Sequence, residues 1–214
     1  MINKKKIIIF GLGGGSRDVL GLIKDINTFD DQWELVGLVG KNNEMKGSTI
    51  NGYNIIDFND LPVSDDFYAI PSVTNPILKN KIYINQIKKL GYRLPILIHP
   101  NTFISEDFTP NPGSIIFSAV RISYNVKIGN LVWIDSNCNI GHNVEVGDNT
   151  SIMPMSLVLG NVGNDCFIGA GSLLHQKVNI GNNSLVGIGT TVIKDIPSNS
   201  KVINYPRNMI SDNK

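Results

Sequence analysis

From Ile116 onward the chain places an aliphatic residue at every sixth position. Ile116, Ile122, Ile128, Ile134, Ile140, Val146, Ile152 and Val158 keep that spacing without exception. After one shorter step Val162, Ile168, Leu174, Ile180, Val186 and Val192 resume it, so fourteen slots hold fourteen aliphatic side chains. A small or β-branched residue follows four positions later, as at Val126, Val132, Cys138, Val144, Thr150, Ser156, Ser172, Ser184 and Thr190. A fixed six-residue period means a parallel β-helix, in which each unit is one short flat strand with its aliphatic residue inward. The small residue fits where the tube turns. A sandwich of ordinary strands would instead alternate every second residue, with turns about 8–12 residues apart. With three units per coil, fourteen units predict four to five coils and a prism about 22 Å tall at ~4.8 Å per coil. The step from Val158 to Val162 is four residues instead of six, which predicts a shortened corner and a dent beside Gly160-Asn161.

The first hundred residues follow another rule. Ile7–Phe10 is a short apolar run that ends in glycine, as a buried parallel strand does. Val19, Leu20, Ile23 and Ile26 then recur at helical spacing. Trp33–Val39 and Phe67–Ile70 read as strands, and Leu94–Ile98 as a further one. Residues 75–90 read as a helix, with Pro76 in its first turn and Gly91 at its end. Strand and helix thus alternate, which predicts a small Rossmann-like α/β domain over residues 1–100, ahead of a β-helix domain and tail over 101–214.

A formal charge of +1 with no block of like charge gives no footprint for nucleic acid or an anionic membrane. Cys138 and Cys166 form no disulfide framework and sit in slots that want small buried residues. The basic start at Lys4-Lys5-Lys6 precedes too short an apolar run for a secretory leader, and no stretch approaches the ~20 apolar residues of a membrane span. A soluble, cytoplasmic protein is expected.

Three motifs give the chain a family likeness: the glycine turn Gly11-Leu12-Gly13-Gly14-Gly15, the junction Ile98-His99-Pro100, and the run Ile140-Gly141-His142-Asn143-Val144-Glu145-Val146-Gly147-Asp148. With them, nearly all 214 residues resemble the nucleotide-sugar acetyltransferases of the left-handed β-helix type, those of bacillosamine, perosamine and sialic acid. The resemblance implies an α/β domain that binds a nucleotide sugar, a left-handed prism, a homotrimer with active sites between prisms, and acetyl-CoA as co-substrate. It implies N-acetylation of a nucleotide-linked 4-amino sugar for surface glycans. Its alternatives are sugar O-acetylation of the sialic-acid type and a non-catalytic nucleotide-sugar-binding trimer.

His142 is the residue that the resemblance makes the general base, and imidazole suits that work near neutral pH. The family's acid after this histidine is Asn143 here, and Asp135 stands seven positions before His142, where relatives often have Asn. An exchange of roles between Asn143 and Asp135 is the expectation. For acetyl-CoA the resemblance implies Gly160, Ala170 and Ile188 along the groove, Ser151 where relatives carry a second histidine, and Arg207 for the CoA phosphates. For the sugar nucleotide it implies Gly13, Gly14, Gly15 and Ser16, whose backbone N–H groups would meet a diphosphate at a helix start. Strand two ends Val39-Gly40-Lys41 without the carboxylate that a ribose would want, which argues against NAD. Zinc is not expected either, because His99, His142 and His175 are the only histidines and His99 lies outside the repeat.

Overall fold

The computed structural model describes residues 4–40, 45 and 47–204. Strand β1 (Lys5–Phe10) is flanked by β2 (Trp33–Val39) and by a strand at Phe67–Pro71, with helix α1 (Gly14–Phe29) between β1 and β2. A short hairpin, β3 (Thr49–Ile50) with β4 (Tyr53–Ile56), sits beyond β2, and Phe67–Pro71 is therefore β5. The order β3-β4-β2-β1-β5 is parallel except at the hairpin. Ile7, Ile8 and Ile9 are fully buried because both faces of the sheet are covered. Ile7 and Ile9 meet the α1 residues Val19, Ile23 and Ile26, whereas Ile8 and Phe10 meet Ile87, Leu90 and Tyr92. Apolar side chains on both sides of one strand are what a continuous Ile7–Phe10 run demands.

The helix expected over 75–90 begins as α2 (Pro76–Ile82), capped by Asn75 Oδ1, which accepts from Leu78 N at 3.0 Å. It widens into one π turn at Tyr83–Ile87, tightens at Lys88–Leu90, and ends on Gly91 at φ 75°.

The rest is a three-faced prism of two-residue strands. The first face is seven-stranded, from Leu97–Ile98 through Trp133–Ile134 and Ser151–Ile152 to Lys201–Val202. The second is six-stranded and contains Asn139–Ile140, Leu157–Val158 and Leu173–Leu174. The third is four-stranded and contains Lys127–Ile128, Glu145–Val146, Asn161–Val162 and Asn179–Ile180. The hexad residues form one continuous core, with Ile134, Ile140, Ile152, Val158, Ile168, Leu174 and Val186 fully buried. Cys138 and Cys166 lie inside it, where burial pushes the Cys138 thiol up to about 12.

Two expectations change. Leu97–Ile98 pairs with Ile115–Ile116 and so opens the prism instead of closing the α/β sheet; only Arg93 bridges back, to Tyr68. A seven-stranded face also exceeds four to five coils. The early coil hides from a six-residue count because Phe108 fills the core just before the slot that Pro110 occupies, and the late one because Val192 to Ile196 is again a four-residue step. The two domains share a core: Ile115, Phe117 and Trp133 of the first face pack with Ile7, Val19 and Ile23. Among the described residues no helix is long and apolar enough to cross a membrane.

Candidate functional site

From Ile116 onward each full corner of the prism turns through a residue of positive φ, and asparagine holds that slot at Asn125, Asn137, Asn143 and Asn149, with φ between 55° and 60°. Asparagine tolerates this conformation better than other side-chain-bearing residues. His142 and Asn143 form the corner between the second and third faces, with His142 exposed. The ring Nδ1 lies 2.8 Å from Asn143 Nδ2. Asn143 Oδ1 in turn accepts from Asn125 Nδ2, one coil below, at 2.8 Å, and Asn125 N donates to Asp107 Oδ2 at 2.7 Å. A short polar ladder thus climbs the edge and ends on the histidine.

The predicted dent lies on the coil directly above. Val158 and Val162 are joined through Leu159-Gly160 with no full turn, and Gly141 N donates to Val158 O at 2.8 Å. Gly160 lies hard under the next corner: a Cβ there would press into Val178 O and come within 2.8 Å of His175 O. The notch above His142 is therefore built by the shortened repeat and by glycine together.

Asp135, Ala170 and Ile188 stand on the other edge of the second face, where it meets the first. Asp135 accepts from Trp133 Nε1 at 3.1 Å and from Ser136 N at 2.7 Å, and so does not touch His142 of its own chain. Beside it a cavity of about 470 Å³ is lined by Arg17, Asp18, Asp25, His99, Asp135 and Ser136. Partial burial, and second the charge of Asp135, raises the Asp18 carboxyl. His99 is taken up by structure: Nδ1 accepts from Asn101 N at 2.9 Å and Nε2 faces Asp25 Oδ2 at 3.2 Å.

Ser151 is a correction. It is fully buried on the first face, and its Oγ accepts from Lys79 Nζ at 2.9 Å. The α/β domain covers the position, so Ser151 does not face a groove. Arg207 lies outside the described residues.

At the start of α1 the four predicted residues divide. Gly13 and Gly14 are exposed with open space around them, and no side chain caps the helix, which leaves its first N–H groups available. Gly15 and Ser16 turn inward. A Cβ on Gly15 would sit 2.6 Å from Ser72 O, and the buried Ser16 hydroxyl lies 2.8 Å from Ser72 Oγ. Both contacts bring the start of α1 against Ser72, the residue after β5. Nearby, a cavity of about 430 Å³ opens at the C-terminal ends of β1 and β2, lined by Gly11, Leu12 and Gly40, by Leu78, Lys81 and Ile82 of α2, and by Asn85 of the π turn that continues it. Open α/β sheets take ligands at this location. The α2 residues escaped sequence reasoning, although 78, 81, 82 and 85 share one helical face.

Among the described residues no group of three His, Cys, Asp or Glu side chains is placed to hold a metal ion.

Comparison with known proteins agrees with both halves. The bacterial transferase hexapeptide (six repeats) matches residues 125–160, and the C2185-like N-terminal domain matches residues 3–70. The bifunctional protein GlmU of Wigglesworthia glossinidia brevipalpis is 27% identical over 197 residues, 76% of this chain and 42% of that protein. Serine acetyltransferase of Bacillus pumilus is 27% identical over 113 residues, 47% of this chain and 52% of that protein. The chain spans about half the length, or less, of these curated relatives. Among solved structures, the acetyltransferase domain of PglB from Neisseria gonorrhoeae superposes with a TM-score of 0.81 at 22% identity, covering 94% of this chain and 97% of that one. A GDP-perosamine N-acetyl transferase from Caulobacter crescentus, solved with CoA and GDP-perosamine, gives 0.81 at 20% identity over 99% of both chains. WeeI from Acinetobacter baumannii gives 0.81 at 20% identity, over 92% of this chain and 96% of that one. The chain therefore has the left-handed β-helix fold of these three structures, with the hexapeptide match in its prism and the C2185-like match in the α/β domain ahead of it.

Proposed function

We propose that the protein transfers an acetyl group from acetyl-CoA to the amine of a nucleotide-linked 4-amino sugar, as a cytoplasmic homotrimer serving surface glycan synthesis. The observation that carries this is the pairing, in one chain, of a ligand-sized cavity at the α/β sheet ends with a notched prism edge bearing His142. Support comes from the shared fold of a GDP-perosamine N-acetyl transferase that binds CoA and GDP-perosamine.

His142 and Gly160 occupy one edge of the second face, and Asp135, Ala170 and Ile188 the other. Trimer packing would set the His142 edge of one copy against the Asp135 edge of the next and complete a site that neither holds alone. Exposed Ile188, Met155 and Tyr124 along these edges support such packing, since each is more than half exposed. The exchange of Asn143 and Asp135 would then act between copies. The nucleotide would lie in the α2 cavity with its diphosphate at Gly13 and Gly14, the sugar reaching toward Arg17 and Asp135.

The amine nitrogen attacks the thioester carbonyl, and a C–N bond forms as the C–S bond breaks. His142 takes the proton that the nitrogen sheds and returns it to the departing CoA thiolate. An acceptor hydroxyl needs the same base, so O-acetylation is the second reading. The test is free-thiol release from acetyl-CoA with UDP-, GDP- and dTDP-linked 4-amino sugars, beside His142→Ala. Such a base is worth about 10²–10⁴ in rate. Turnover lost in the variant supports the proposal; binding of a sugar nucleotide without thiol release in the native protein sinks it in favour of an O-acyl acceptor or a non-catalytic trimer.

A further inference from the structure

Helix α2 works on two sides. Leu78, Lys81, Ile82 and Asn85 wall the cavity of the α/β domain. The opposite side meets the prism, where Lys79 is 2% exposed. Its Nζ donates to Ser151 Oγ at 2.9 Å and reaches Thr150 O at 3.4 Å. Three residues earlier in the chain, Pro76 O accepts from Asn149 Nδ2 at 2.8 Å.

Lysine is almost never buried to this degree. Leucine or methionine would fill the junction without the desolvation that a buried amine costs. What an apolar residue could not supply is direction. Hydrogen bonds to a side-chain oxygen and a carbonyl of adjacent residues hold the helix at one register along the coil, whereas apolar contact alone permits sliding. Asp165, on the prism corner that also binds Asn149, is the charged group that favours the ammonium form, against the larger effect of burial.

We infer that Lys79 is a positioning residue: its bonds to Ser151 and Thr150 fix α2, and with it the cavity wall, on the prism, so that a ligand in the cavity reaches the transfer edge at a set distance. The last clause rests on the transfer reaction proposed above; the fixing of α2 does not.

The test compares Lys79→Met and Ser151→Ala with the native protein by amide hydrogen exchange, by binding of UDP and of CoA, and by thiol release. Exchange over residues 76–87 should quicken about tenfold or more in both variants while the prism coils keep native protection. CoA affinity should stay within about twofold, and turnover should fall about tenfold or more, since misplacement costs rate even where binding survives. Native protection of 76–87 in both variants would overturn the inference, as would a parallel loss of prism protection and CoA affinity, which marks a merely structural lysine. If Lys79→Met does not fold, Ser151→Ala decides. A native protein without turnover refutes the transfer reading alone, and the exchange data still judge Lys79.

Discussion

The carboxamide nitrogen of Asn143 lies 2.8 Å from Nδ1 of His142. An amide nitrogen only donates, so the ring accepts at Nδ1 and its own proton sits on Nε2. A base that takes a proton at Nε2 needs the other tautomer. The two ends of a carboxamide are isosteric, and a concerted turn of Asn143 and Asn125 would present Oδ1 to a protonated Nδ1. The edge can hold either tautomer, but the carboxamide at the ring carries no charge with which to favour an imidazolium.

Asn143→Asp should therefore improve the base. A carboxylate accepts from Nδ1–H only and stabilises the imidazolium that forms as the proton is taken. The expected outcome is a few-fold gain in kcat/KM, with a changed acid limb in its pH profile. Asn143→Ala should cost about tenfold or more in kcat/KM. It should also lose roughly 1 kcal/mol of stability, because alanine tolerates φ 60° less well. An unchanged pH profile in the aspartate variant would remove Asn143 from the site.

Asp135→Asn isolates the other edge. Asp135 accepts from Trp133 Nε1 on Oδ2 and from Ser136 N on Oδ1, so the single oxygen of an amide keeps one of the two bonds and the melting temperature should fall by a few degrees. If Asp135 supplies, between copies, the charge that Asn143 lacks, turnover should fall about tenfold and the acid limb should move down. Native turnover with a native pH profile would end the exchange of roles.

Gly160→Ala probes the notch. The added carbon would press into Val178 O and lie 2.8 Å from His175 O, both backbone atoms of the coil above, which cannot rotate away. A loss of roughly 2–4 kcal/mol is expected in chemical denaturation, from overpacking of a tight backbone contact. CoA affinity should fall with it if the notch holds the cofactor. A native-like melting curve would show that the shortened corner has slack.

How far the sequence carries is visible at these same residues. The prism was legible because each coil buries one aliphatic side chain per face, and a fixed period survives any choice of which aliphatic residue fills it. The dent at Gly160 was legible for the same reason, as a change of phase. Ser151 was not: its hexad slot looks like every other, and only the α/β domain packed over the first face turns it from surface into junction. Ser16 shows a similar limit, since a glycine-rich start announces a phosphate loop but cannot say that the hydroxyl turns toward Ser72. Lys79 was invisible because a lysine in a surface-length helix reads as solvated until tertiary contacts bury it. Asn143 looked like a lost acid; the positive φ of its slot gives a backbone reason for asparagine there as well.

Lys79 also predicts how stability follows pH. Burial pushes its ammonium down from 10.5 to about 7, with Asp165 pulling the other way. Between those values the unfolded chain binds a proton that the folded chain has released, so stability rises with pH across the window. Below about 7 both states carry the charge, and the folded state bears the full cost of burying it. At about 1.4 kcal/mol per unit, the span from 7 to 10.5 is worth at most about 5 kcal/mol. The melting temperature of the native protein should therefore climb from pH 6.5 to 9.5 by several degrees more than that of Lys79→Met. At pH 6.5 the methionine variant should match or exceed the native protein, because it removes a buried charge. Melting curves that run parallel through this range would mean that Lys79 keeps an ordinary affinity for its proton, with water reaching the junction.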